Sequence, residues 1–267
     1  MIAIFRYIYR LGVRNTMEIP VFDFHAHVGR WGNLAVWDDI ERYINVMDAA
    51  GVDRANINCI FYSKASIGND VTAKFVEKYP DRFVGVGFVS PHYPEEAISE
   101  LERVFDKLQM RSLKVYPTYY GKPIDDKGYL PIFEWCNDRN VVIMSHSEAG
   151  TDNDLTEPKR FVPLANRYPN IRWVLAHSGN SRIGQMQSVK AAQECPNIFL
   201  ETCTSFGDHN TITDLVNGAG EDRVLFGSDM PLMDARTQVG RIVNADINTN
   251  AKKKVLGLNA MRILGLD

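Results

Sequence analysis

Val21–Val28 reads VFDFHAHV, a short run of β-branched and aromatic residues that closes on two histidines one residue apart. Such a run reads as a strand, and on a strand residues i and i+2 share a face, so His25 and His27 are expected to point the same way. Seven further runs have the same character: Arg54–Phe61, Phe83–Ser90, Ser112–Pro117, Val141–Ser147, Ile171–Ser178, Ile198–Ser205 and Val224–Asp229. Several are almost continuously apolar, as parallel strands covered on both faces must be. Their starts are separated by 33, 29, 29, 29, 30, 27 and 26 residues, room for one strand and one crossover helix each time. Eight such units with no linker between them predict an α/β fold of the (β/α)8 TIM-barrel type over residues 18–267. A doubly wound open sheet is the alternative, disfavoured because no Gly-x-Gly-x-x-Gly follows the first run.

The intervening segments support the barrel. Asp38–Gly51 is helically periodic and ends in glycine, and Pro94–Met110 opens with proline and two acids, a helix-start pattern. The phrases YPDRF, YPNIRW and ECPNIF introduce three of the strands, each with a proline that stops the preceding helix. Residues 1–17 fall outside the repeat and read as an extension, helical or disordered; Arg6, Arg10 and Arg14 would share one helical face.

Composition narrows the function classes. Of 267 residues 45% are hydrophobic, and 30 basic against 33 acidic side chains leave a net charge of -3. No basic excess is available for a phosphate backbone, so nucleic acid is not expected as a partner. No apolar stretch approaches a membrane span. The four cysteines form no Cys-x-x-Cys pair, which points away from a disulfide framework and towards a reducing, cytoplasmic setting.

In a barrel, chemistry gathers at the carboxyl ends of the strands. His25 and His27 end the first run, His146 the fifth, His177 the sixth and Asp229 the eighth, so four of the six histidines stand at strand ends. Imidazoles joined by a carboxylate suit one divalent metal ion, Zn2+ above all, with Mn2+ or another divalent ion as alternatives. Closure brings strands one and eight together, so Asp229 is expected beside the His-x-His pair, as ligand and proton acceptor; its competing reading is a helix N-cap. His177 reads as a further ligand or as a group that polarises substrate. Either His146 or His177 alone would read as a satisfied core histidine, but both at one height on adjacent strands do not.

The set HAH, MSHS (144–147), LAHSG (175–179), GSDMP (227–231) and the ending VLGLNAMRILGL resembles the amidohydrolase-related, or amidohydrolase 2, family of metal-dependent barrel enzymes over about residues 20–267. That resemblance implies His25, His27, His146 and Asp229 as ligands of one metal, with His177 as the catalytic electrophile or the ligand of a second metal. LKVYP (113–117) is similar to the family's lysine-bearing fourth strand, which implicates Lys114. Members with glutamate in place of the first histidine are typical among the family's decarboxylases, so His25 leans towards hydrolysis.

Arg30 and Trp31, just beyond His27, are candidates to bind a carboxylate and to stack on a ring, while Lys114 and Glu148 line the same mouth. The expected activity is metal-dependent hydrolysis of an amide, ester or lactone in a small anionic molecule. The alternative is metal-dependent decarboxylation of an unsaturated or aromatic acid, and a non-catalytic metal-binding barrel comes after both. A small-molecule partner and a homo-oligomer complete the expectations.

Overall fold

All eight expected strands form, and they pair in parallel in the order β1-β2-β3-β4-β5-β6-β7-β8. They are β1 (Phe22–His27), β2 (Arg54–Asn58), β3 (Phe83–Phe88), β4 (Ser112–Val115), β5 (Val142–Glu148), β6 (Arg172–Gly179), β7 (Ile198–Glu201) and β8 (Val224–Leu225). The computed structural model describes residues 19–30, 38–204 and 210–266. The expected extension over 1–17, together with Trp31 and His209, lies outside them.

Helices follow the strands: α1 (Ile40–Ala50), α2 (Ala65–Lys78), α3 (Pro94–Glu102), α4 (Pro117–Tyr120), α5 (Leu130–Asp138), α6 (Phe161–Arg167), α7 (Arg182–Glu194), α8 (Thr211–Ala219), α9 (Ala235–Val243), α10 (Thr249–Lys253) and α11 (Asn259–Leu264). Local chemistry sets their ends. Asp39 caps α1 by accepting from the Arg42 N–H, and Gly51 at φ 74° ends it in the left-handed region that glycine adopts freely. The three Pro phrases act as expected: α2, α6 and α7 stop at Tyr79, Tyr168 and Cys195, each held out of the helical region by the proline after it. The segment expected as one helix over Pro94–Met110 is instead α3 followed by a π-helical turn at Arg103–Lys107, closed by Gln109 at φ 54°.

Two apolar clusters build the interior. One lies between strands and helices, with Ile57, Leu113, Ile143 and Leu175 packed among side chains such as Tyr43, Phe133 and Val239. The other joins Phe22, Phe24, Met144, Val174 and Phe199 to Ala260, Ile263 and Leu264 of α11, so the last helix closes one end of the barrel. Cys59, Cys136, Cys195 and Cys203 are all free and buried. Among the described residues no helix is long and apolar enough to cross a membrane.

β8 is only two residues long because the chain leaves regular pairing at Phe226. The ring is closed instead by three backbone bonds: Phe24 N–H to Phe226 O at 2.9 Å, Asp229 N–H to His25 O at 2.7 Å, and His27 N–H to Met230 O at 2.7 Å.

Candidate metal centre

β1 does not carry its histidines on a regular strand. The register against β2 shifts between Asp23 and Ala26, the mark of a bulge. Phe24 therefore packs with the interior cluster while the next residue, His25, also turns inward at the mouth. His25 and His27 face the same space, with ring centroids 5.0 Å apart.

Strand closure delivers Asp229 to them, as the sequence predicts. Its Oδ1 lies 3.1 Å from His27 Nε2 and 3.5 Å from His25 Nε2. Asp229 sits at φ 58°, a conformation unusual outside glycine, held where its own N–H bonds His25 O. Buried Asp23 supports the turn from below: it accepts from the Ser228 N–H at 2.9 Å, from the Ser228 hydroxyl, and from the His25 N–H at 3.1 Å. Burial pushes Asp23 up to about 7 despite those donors. Burial acts on Asp229 in the same sense, but the bond from His27 and the charges of His27, His177 and Lys114 outweigh it and hold the carboxyl below the usual range.

His177 ends β6 at φ 65°, with Ser178 and Asn180 also left-handed, so the chain turns sharply there. Its ring lies 5.0 Å from that of His25 and 4.7 Å from that of His146. Nδ1 donates to Cys203 O at 3.1 Å, which leaves Nε2 as a lone pair. Burial, reinforced by His146, drives the His177 pKa down to about 3, so the ring is neutral at ordinary pH. Held this way, Nε2 is the nitrogen that faces the site as an acceptor.

His146 is the expected ligand that stands apart. Among the described residues, donor atoms converge within 4.8 Å in two groups that share His25, one with His27 and Asp229 and one with His177, Glu201 and Cys203, and His146 belongs to neither. His146 Nε2 is bonded to Glu148 at 3.1 Å, and that bond lowers the Glu148 pKa. Arg30 also points elsewhere: it is 77% exposed and paired with Asp38 at 2.7 Å. Lys114, by contrast, is fully interior, with Nζ 3.0 Å from His25 Nε2; burial lowers it to about 8 against the pull of Asp229 and Glu201.

Sequence reading missed Glu201, at the end of β7. It is completely buried and receives His25 Nδ1 at 2.9 Å, the His177 N–H at 3.1 Å and the Cys203 N–H. Burial pushes its pKa up to about 8, opposed by the two backbone donors. Space for it comes from Gly227, where a Cβ would overlap Glu201 Oε1 and crowd the His25 Cβ.

The donor set fits a divalent ion. Imidazole-to-carboxylate separations of 3.1 and 3.5 Å bracket the edge of about 3.3 Å between ligands bound tetrahedrally at zinc-like distances. His27 Nδ1 is buried with no hydrogen-bond partner, so its ring is held through Nε2 alone. Beside this group opens a cleft of about 390 Å3 lined by Ile60, Phe61, Tyr62, Phe88, Tyr93 and Tyr119, and the Phe61 ring stands 5.6 Å from that of His27.

Comparison with known proteins agrees with the barrel fold. A 2-amino-3-carboxymuconate-6-semialdehyde decarboxylase from Dictyostelium discoideum is 24% identical over 238 residues, 74% of this chain and 66% of that protein, a little under two thirds of its length. Among solved structures, a 5-carboxyvanillate decarboxylase from Novosphingobium aromaticivorans, crystallised with manganese and 4-hydroxy-3-methoxy-5-nitrobenzoic acid, shares the fold. It superposes with a TM-score of 0.70 at 22% identity, covering 85% of this chain and 81% of that one. A 4-oxalomesaconate hydratase from Rhodopseudomonas palustris shares it too, with a TM-score of 0.69 at 19% identity over 92% and 96% of the two chains. The amidohydrolase family profile matches residues 22–266, nearly the whole barrel, and the chain belongs to that family.

Proposed function

We propose that this protein is a metal-dependent decarboxylase of a small unsaturated or aromatic carboxylic acid. The observation that carries this reading is the cleft that Phe61 joins to His27: its walls are largely aromatic, with Ser63, Ser90 and His92 among them, and its volume of about 390 Å3 suits one planar ring. The decarboxylase alternative is thus better supported than hydrolysis, and the sequence relative is itself a decarboxylase. The lean towards hydrolysis drawn from His25 gains no support.

His25, His27 and Asp229 are the proposed ligands, with His146 or His177 completing the set from the facing strands. Zn2+ and Mn2+ both suit imidazole with carboxylate, and a manganese-bearing relative keeps the second in play. When bound, the ion supplies Lewis acidity towards the oxygens of the substrate.

The chain's own groups manage charge and proton. Lys114 offsets the negative charge of a substrate carboxylate at the mouth. Breaking the bond to the carboxyl carbon releases CO2 and leaves the electron pair on the remaining carbon, which then takes up one proton. At neutral pH Asp229 and His177 are in proton-accepting forms, so each carries only a proton received from water, whereas Lys114 is a buried cation that holds one beside His25 Nε2. Phe61 and Tyr119, which line the cleft, would flank the ring.

The test is CO2 release from a panel of carboxylated aromatic and dienoic acids by metal-loaded protein, alongside esters, lactones and amides. Release from at least one acid, abolished in His25→Ala, is expected. Turnover of a lactone or amide, or addition of water to an unsaturated acid, with CO2 from none, overturns the reading.

A further inference from the structure

The end of β7 meets the candidate centre at its back, where Glu201 and Cys203 converge with His25 and His177 within 4.8 Å. Oε2 of Glu201 receives both His25 Nδ1, at 2.9 Å, and the backbone N–H of the strained His177, at 3.1 Å. Two residues on, the carbonyl of Cys203 receives His177 Nδ1 at 3.1 Å. The Ser178 hydroxyl completes the contact by donating to Glu201 O at 2.8 Å. The direction of the His25 bond follows from its other nitrogen: Nε2 faces the Lys114 ammonium, which can only donate, so the ring proton stands on Nδ1 and goes to Glu201.

We infer that Glu201 is a positioning residue, which together with the Cys203 carbonyl sets the tautomer and orientation of two imidazoles so that both Nε2 lone pairs face the mouth. A ligand histidine works through the nitrogen opposite its hydrogen-bonded one, so an acceptor held at Nδ1 fixes which nitrogen is free to bind. Gly227 is part of the device, because any side chain at 227 would displace the carboxylate. The role also accounts for an ionisable side chain buried completely at the end of an otherwise apolar strand. A glutamine of the same shape cannot substitute, since its amide group would turn an N–H towards either Cys203 N–H or the His25 and His177 donors.

The inference rests on metal binding by His25, not on the decarboxylase reading. Its test is the Kd for Zn2+ and for Mn2+, by competition with a chromophoric chelator, in wild type and in Glu201→Gln checked for folding by circular dichroism. Weakening by about 10- to 100-fold in the folded variant is expected, the usual cost of removing such an acceptor. Equal affinity within twofold overturns the positioning role, while a wild type that binds neither metal overturns the centre itself. A purely structural role would lower Tm and leave the Kd of folded protein unchanged. Should the variant not fold, 15N spectra of histidine-labelled, metal-free wild type decide: His25 and His177 both protonated on Nδ1 support the assignment, and either ring protonated on Nε2 overturns it.

Discussion

Lys114 Nζ stands 3.0 Å from His25 Nε2, so a buried ammonium contacts the nitrogen through which His25 would bind a metal. Cation and ammonium repel each other across that contact. In Lys114→Met the repulsion disappears, and metal affinity measured by chelator competition should rise by about tenfold, the scale on which a neighbouring charge moves an ionic equilibrium. CO2 release by the same variant should fall by about 100-fold or more, as loss of a proton donor implies. Unchanged affinity would mean that the lysine moves away when metal enters.

Asp229 carries two jobs that a substitution can separate. Its backbone N–H closes the barrel through His25 O, while its carboxylate faces His25 and His27. Asp229→Asn keeps the first and weakens the second. After dialysis, elemental analysis should find metal in the wild type and only background in the variant, with superimposable far-ultraviolet circular dichroism.

The turn after His177 depends on close backbone packing. Gly179, at φ 86°, lies against Gly184 of α7, and a Cβ on Gly184 would collide with Gly179 O and C. Gly184→Ala should cost about 1–3 kcal/mol, as overpacking does. In a chain of this length that corresponds to a fall in Tm of roughly 2–4 °C per kcal/mol, readable by thermal melting. Retention of the wild-type Tm would show that α7 shifts freely.

Asn69 ties α2 to the end of β3. Its side chain accepts from the Phe88 N–H at 2.8 Å and donates to Phe88 O at 2.9 Å and to Glu100 at 2.7 Å, all in the interior. Asn69→Leu strands those partners and should lower unfolding stability by about 3 kcal/mol in urea titration. It should also raise KM, because Phe88 lines the cleft.

The period of about 29 residues was enough to read the barrel, because each strand and its crossover must repeat along a closed sheet. The strand-end residues His25, His27, His177 and Asp229 were legible for the same reason, and the structure brings them together. Asp23 and Glu201 were not, since their partners lie 205 and 176 residues away, at Ser228 and His25. One signal was available: a lone acid in VFDF and in IFLE, each inside an apolar strand, where an ionisable group needs a partner. The bulge in β1 left no trace, because Phe24 and His25 are both compatible with a strand and only packing decides their faces. The π-helical turn after α3 was hidden likewise, as Arg103–Lys107 are ordinary helix formers.

Two of the three bonds that close the ring run through His25, His27 and Asp229 themselves, the residues whose side chains form the candidate centre. The latch of the ring and the seat of the chemistry are one piece of backbone. Any opening that parts the first strand from the last must therefore dismantle the centre in the same event, and an ion bridging the three side chains would act as a clasp on the whole barrel. Amide exchange at Asp229 and His27 should report that clasp, slowing on metal addition together with the global unfolding rate.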